Sequence, residues 1–144
     1  MHVLDGVNAL QVCCPTNGRR RRRPARPPFY CQWMPRKHNK VADGLADLTM
    51  DRRSSWSRVF QTSLQIQCSN IVVQTDGGRR PQEDIAASSM VVGVVGSVEG
   101  SLVYEPCFAQ GVFMSSGVSV FQAEAIALDI ALQWVEEQLG HGDL

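Results

Sequence analysis

Residues 70–78, Asn-Ile-Val-Val-Gln-Thr-Asp-Gly-Gly, constrain the fold of this 144-residue chain more than any other stretch. Ile71, Val72 and Val73 are three β-branched residues in a row, which marks a strand buried on both faces rather than one half open to water. The strand is expected to stop at Asp76, because Gly77 and Gly78 free the backbone to turn sharply. An acid at the end of an apolar strand, followed by two glycines, suits a ligand that approaches the backbone closely. The same residues also suit an Asp that does no more than open a turn. Which applies depends on the other carboxylates that the fold brings to Asp76.

The chain is the size of one ordinary domain, and 44 % hydrophobic residues make it globular rather than disordered. Its net charge is zero but unevenly divided: residues 1–60 hold 12 Lys and Arg against 4 Asp and Glu, and residues 61–144 hold 2 against 10. A basic half suits a polyanion and clustered carboxylates suit metal ions, although two halves of opposite sign also simply attract each other. Cys13, Cys14, Cys31, Cys68 and Cys107 are odd in number and form no Cys-x-x-Cys pair, so neither a zinc site nor a disulfide framework is indicated. Asp5 and Gly6 interrupt the start, against a signal peptide. The longest apolar run, residues 90–98, is too short and too glycine-rich to span a membrane. A soluble intracellular protein, cytoplasmic or nuclear, is expected.

Residues 1–12 suggest a short strand end, then Asp5, then a helical turn with Val7, Leu10 and Cys14 on one face; a frayed terminus fits equally. Residues 15–28 contain six arginines, Arg19, Arg20, Arg21, Arg22, Arg23 and Arg26, and no large apolar side chain. They are expected to form a mobile loop. Contact with nucleic-acid phosphates, a nuclear-import address and a plain solvated loop all fit it. Residues 29–34 are aromatic-rich and suit a strand that Pro35 ends. A helix follows, with Asn39 as its N-cap, Val41, Leu45 and Leu48 on the apolar face, and Ala42 and Ala46 widening that face. Asp43 falls in its first turn, where the helix dipole favours an anion. Residues 52–69 are polar and serine-rich and suggest a linker, partly packed through Trp56, Val59, Phe60, Leu64 and Ile66.

From residue 70 the pattern is a β meander. A loop at 79–84 separates it from a second strand over 86–97, and Val98-Glu99-Gly100 marks a hairpin turn into a third strand over 101–114. Pro106 is expected to bend or end the pairing. Ser119-Val-Phe-Gln122 is a capping box that opens a helix running to about Leu139, closed by Gly140. Its sheet-facing side is expected to carry Phe121, Leu128, Leu132, Val135 and Leu139. Glu124 lies at the edge of that side and either points toward the sheet or is a surface acid of the first turn. Glu136 and Glu137 are placed for solvent.

Two blocks resemble the ribonuclease H domains of the reverse-transcriptase-associated and plant type. Residues 33–51, Trp-Met-Pro-Arg-Lys-His-Asn-Lys-Val-Ala-Asp-Gly-Leu-Ala-Asp-Leu-Thr-Met-Asp, are similar to that family's last strand and helix. There a Pro-Arg-x-x-Asn-x-x-Ala-Asp-x-Leu-Ala pattern carries a metal-binding Asp, here Asp43. Residues 70–132, with strand-Asp-Gly-Gly, two more strands and Phe-Gln-Ala-Glu-Ala-Ile-Ala-Leu, resemble the family's first strand through first helix, and the matching ligands are Asp76 and Glu124. Val3-Leu4-Asp5-Gly6 is similar to the family's fourth strand, with Gly6 where Ser is usual, which makes Asp5 the fourth ligand. The matches cover about 100 residues in rotated order: residues 1–51 correspond to the family's C-terminal part and 70–144 to its N-terminal part. Either the chain is a circular permutant whose linker 52–69 joins the usual ends, or it is a slice across two tandem domains. Compact domains often have neighbouring termini, which makes permutation tolerable.

The resemblance implies one α/β domain, an α+β mixed sheet of five strands with helices packed on it. In it, the three antiparallel strands of 70–114 are flanked by strands ending near Leu4 and Met34. It also implies an endonuclease that hydrolyses the RNA strand of RNA·DNA hybrids. Asp5, Asp43, Asp76 and Glu124 would hold two Mg²⁺ or Mn²⁺ ions, since crowded carboxylates stay ionised around cations and hard oxygen donors select such metals. Arg36 would meet phosphate. The family often places a mobile His ahead of the last Asp; His38 is near but differently spaced. A degenerate retroelement remnant, inactive or binding nucleic acid through its arginines, is the non-enzymatic alternative. Replacing Arg19 to Arg23 and Arg26 with Ser is expected to weaken hybrid binding and to lower its salt slope by about 1 for each lost phosphate contact. Binding measured across a salt series checks this, and an unchanged slope would assign the loop to targeting or to no role.

Overall fold

In the computed structural model, strand β5 (Ile85–Val98) carries ten consecutive buried residues, 85 to 94. A strand so buried must be covered on both faces. The structure describes residues 9–13, 29–32, 35–63 and 70–139, with backbone alone for 9–13, 29–32, Arg36 and Leu139. Around β5 they form an α+β arrangement: one six-stranded sheet with a helix on each face. The strands are β1 (Ala9–Cys13), β2 (Phe29–Gln32), β3 (Trp56–Val59), β4 (Asn70–Arg80), β5 and β6 (Ser101–Met114). The helices are α1 (Lys40–Arg52) and α2 (Val120–Leu139). The sheet order is β2-β1-β4-β5-β6-β3.

Every pairing in this sheet is antiparallel. Among the described residues the sheet is thus wholly antiparallel and six-stranded, where a mixed sheet of five strands was expected. Two strands were not expected, β1 and β3; β3 lies inside the span expected to be a linker, pairs with β6 through Trp56–Val59 and covers that edge. The expected strand ending near Leu4 lies outside the described residues. Residues 9–13, expected to belong to a helical turn, form β1, in which Leu10-Gln11-Val12 alternates apolar and polar at the strand period. The strand expected over 29–34 is present as β2.

The meander follows its sequence signals closely. β6 spans the expected 101–114. Glu99 and Gly100 both have positive φ, 52° and 82°, and join Val98 to Ser101 as a two-residue turn. Positive φ at both central positions matches the right-handed twist of the strands. Pro106 does not end the pairing. The register steps from Val92↔Phe108 to Gly93↔Pro106, so Cys107 is the extra residue of a bulge, and a bulge is where a strand accommodates a residue without an N–H. Strand β4 also differs from expectation: it runs through Gly77 and Gly78 to Arg80, and neither glycine has positive φ. The turn falls later, at residues 81–84.

Both helices present small residues to the sheet. On α2 the fully buried positions are Ala123, Ala127 and Ala131, followed by Trp134. The face expected from Phe121 and Leu132 is turned outward, with Phe121 60 % exposed. On α1 Ala42, Ala46, Thr49 and Met50 are buried, whereas Val41 is 59 % and Leu48 41 % exposed. The cause is proximity. A Cβ on Gly77 would lie 2.4 Å from the backbone nitrogen of Glu124 and 2.5 Å from the carbonyl carbon of Ala123. Backbones that close admit alanine and glycine between them and nothing larger.

Two cores result. Ile71, Val73, Met90, Val92 and Val94 pack with Ala131 and Trp134 under α2, where Phe108 stacks on Trp134 at 6.0 Å between ring centroids. Under α1, Ala42 meets Val91 and Ala109, and Met50 meets Ile85 and Ala87. Gly77→Ala is expected to force α2 off the sheet and to cost about 1–3 kcal/mol, the range for overpacking. Chemical denaturation checks it, and wild-type stability would contradict the close contact.

Candidate functional site

Asp76, Asp43 and Glu124 stand on three different elements, and one short stretch of the central strands joins them. Asp76 pairs with Ser89 and Gly77 with Ser88 across the β4–β5 ladder. Successive residues of a strand face opposite sides, so Ser88 and Ser89 meet different helices. Ser88 Oγ donates to the Ala123 carbonyl at 2.5 Å, and Ser89 Oγ donates to the Ala42 carbonyl at 2.6 Å. Both serines are fully buried. Glu124 therefore follows a carbonyl held by Ser88, and Asp43 follows one held by Ser89.

The third acid is fixed in a similar way. Strand β1 pairs with β4 only through residues 70–74. From Thr75 onward no strand among the described residues continues along that edge. The chain entering α1 lies there instead: Asn39 Nδ2 donates to the Thr75 carbonyl at 3.0 Å, and Gln74 Nε2 reaches the His38 carbonyl at 3.4 Å. Asn39 was expected to cap α1, but its side chain makes no capping bond; it is drawn to β4, leaves 2 % of its surface exposed, and has a buried Oδ1 without a partner. Asp76, Asp43 and Glu124 are all partly exposed. A buried donor thus grips the backbone one residue before each of the three.

The remaining expectations divide. Asp5 and Arg19, Arg20, Arg21, Arg22 and Arg23 lie outside the described residues. Arg36 starts a 3₁₀ turn, Arg36–His38, and its side chain is not described. His38 is exposed, as are Lys37 and Lys40 on either side of Asn39. Glu136 and Glu137 face solvent as expected. The Asp76-Gly77-Gly78 unit is neither a turn opener nor a strand end. Gly77 serves the approach of α2, and that approach sets Glu124 beside the residue after Asp76.

Other acids are engaged by arginines. Arg80 binds Asp51 at 2.8 Å and Asp47 at 3.6 Å, Arg53 binds Glu83 at 3.0 Å, and Arg79 binds Asp84 at 3.1 Å. The hydrogen bond to Asp51 raises the Arg80 pKa. These pairs are solvent-exposed and contribute little individually. Burial pushes the Cys107 thiol pKa up, which keeps it protonated and unsuited to nucleophilic work.

Mg²⁺ and Mn²⁺ take oxygen donors. Asp76, Glu124 and Asp43 supply only oxygens, and the unpartnered Asn39 Oδ1 is a further buried oxygen at the neighbouring carbonyl. Among the described residues no group of three or more His, Cys, Asp or Glu is placed to hold a metal ion. Mg²⁺ keeps several waters and is commonly bound through one or two carboxylates together with substrate phosphates, and the carboxylates of Asp76 and Glu124 are donors of the kind it takes.

The residues missed in the sequence are Ser88 and Ser89. Their signal was present: two adjacent hydroxyls inside a run of Ala, Met and Val must find partners once buried. No protein-family model, curated protein or solved structure matches the chain. Asn39→Ala is expected to leave the Thr75 carbonyl unpaired and to lower stability by about 1–3 kcal/mol. Urea denaturation checks this; an unchanged midpoint would mean that the carbonyl finds water.

Proposed function

We propose that this chain is a metal-dependent phosphodiester hydrolase of the ribonuclease H type, acting on the RNA strand of RNA·DNA hybrids. What supports the proposal is that the backbone beside Asp43 and beside Glu124 is anchored to the Asp76–Ser89 and Gly77–Ser88 pairs, so the three acids stand on elements tied to one short stretch of the sheet. The choice of hybrid as substrate comes from the sequence resemblance. A helix recognised through its shape and 2′-hydroxyls is cut with little sequence preference.

Each residue has a task in this proposal. Asp76, Glu124 and Asp43, with Asp5 as the fourth acid that the resemblance implies, are the ligands for Mg²⁺ or Mn²⁺. Such ions, two in the full site, lower the pKa of a bound water and neutralise charge on the phosphate being cut. Lys37, Lys40 and Arg36 precede Asp43 and carry the charge to orient a phosphate backbone, and the arginines at 19–23 add affinity that depends on salt. The reaction adds one water across a phosphodiester and breaks one P–O bond, so no redox partner is required.

The test is cleavage of labelled hybrid with and without Mg²⁺. Wild-type protein is expected to cut only with the metal. Asp76→Asn and Glu124→Gln keep the side-chain shape and are expected to reduce cleavage by several orders of magnitude, whereas Glu137→Gln, on the same helix but exposed, should leave it unchanged. Equal cleavage by wild type and Asp76→Asn would remove the site assignment. A folded wild-type protein inert in both Mg²⁺ and Mn²⁺ would leave a nucleic-acid-binding remnant as the function.

A further inference from the structure

We infer that Ser88, Ser89 and Asn39 are positioning residues for the acidic site, each fixing one acid through the backbone carbonyl immediately before it. The inference rests on the metal-binding function proposed above. Its basis is a repeated geometry: Ser88 holds the carbonyl before Glu124, Ser89 the one before Asp43, and Asn39 the one before Asp76. All three donors are buried. Ser88 and Ser89 are also the direct cross-strand partners of Gly77 and Asp76. One dipeptide thus relates both helices to the strand that carries the central acid.

These bonds matter because the acid-bearing turns themselves meet the sheet through small residues. Helices normally lock in register by setting ridges of large side chains into grooves. Here the Glu124 turn of α2 meets the sheet through Ala123 against Gly77, and the Asp43 turn of α1 through Ala42 and Ala46, while the large buried residues Trp134 and Met50 lie further along each helix. Small residues permit close approach but resist sliding poorly. A hydrogen bond from a fixed strand to a helix carbonyl supplies the missing register. It acts at the turn that bears the acid. The remote bond from Trp56 Nε1 to Thr49 Oγ1, 2.8 Å long at the other end of α1, holds that helix down without touching the turn that bears Asp43.

The experiment measures Mn²⁺ binding by calorimetry and, in parallel, thermal stability and the Mg²⁺ concentration for half-maximal hybrid cleavage. Wild-type protein is expected to bind Mn²⁺, and Asp76→Asn to lose it. Ser88→Ala and Ser89→Ala should each weaken Mn²⁺ binding about tenfold or more, the scale for residues that orient metal ligands, and raise the Mg²⁺ requirement in step. Ser88→Thr and Ser89→Thr keep the hydroxyl and should restore binding. Trp56→Phe should lower the melting temperature and leave Mn²⁺ affinity unchanged. If alanine at 88 or 89 unfolds the chain, Ser→Cys, which fills the site and weakens the donor, reads out the same affinity. Wild-type affinity in the folded serine variants overturns the inference and leaves the proposed function standing. An equal loss in Trp56→Phe also overturns it, because general loosening then explains the effect. Wild-type protein that binds no Mn²⁺ removes the proposed function and this inference together.

Discussion

Burial of β5 on both faces is the constraint on which the rest of the structure depends. A strand without access to water must satisfy every polar group from within the protein, because an unpaired buried hydroxyl is costly. At the depth of Ser88 and Ser89 the acceptors within reach are helix carbonyls, which sit there only if the helices lie close. Close helices require alanine at the contact and glycine opposite it. The placement of Ala42, Ala123 and Gly77 is therefore one requirement expressed three times. Val41, Leu48 and Phe121 turn outward, and the large apolar residues that do lie underneath, Met50 and Trp134, sit toward the far ends of the helices from these contacts.

Much of the fold was legible in the sequence where a local rule acts alone. The Glu99–Gly100 turn, the limits of β6 and the capping box all depend on residues adjacent in the chain. Ser119 and Gln122 exchange hydrogen bonds of 2.8 and 3.1 Å as that pattern requires. The misreadings arose where tertiary contact overrides the local rule. Hydrophobicity ranks leucine above alanine, so periodicity assigned Leu48 and Leu132 to the interior, whereas the packing distance selected the alanines. Gly77 and Gly78 signal a turn in isolation; only the presence of α2 shows that Gly77 is there for lack of a side chain. Asn39 has the composition of a cap but a better partner on β4.

The acids show the same division. Asp76, Asp43 and Glu124 could be singled out by their neighbours in sequence, but nothing in the sequence specifies what holds them, because each anchor lies 35 to 47 residues away. The contrast in charge between the halves of the chain had a partial outcome. Arg53 of the basic half does pair with Glu83 of the acidic half, but Arg80 and Asp51 form the reverse combination. Net charge along a sequence thus predicts attraction between segments less well than the geometry of individual pairs.

The tight connection between β5 and β6 has a consequence for how the chain reaches this state. Two strands of fourteen residues joined by a two-residue turn form a ladder whose contacts are local at the turn and grow outward one pair at a time. Closing so short a loop costs little entropy, and each later rung closes a loop only slightly longer than the last. Strand β3 must find β6 across some fifty residues, and α1 must find β5 across 47 in the bond from Ser89 to Ala42. The hairpin is thus the natural nucleus, and its apolar stretch is exposed until the helices arrive. Residues that make the finished protein's most buried strand also make the folding chain's most adhesive one. The interval before α1 and α2 dock is when the molecule is most open to aggregation.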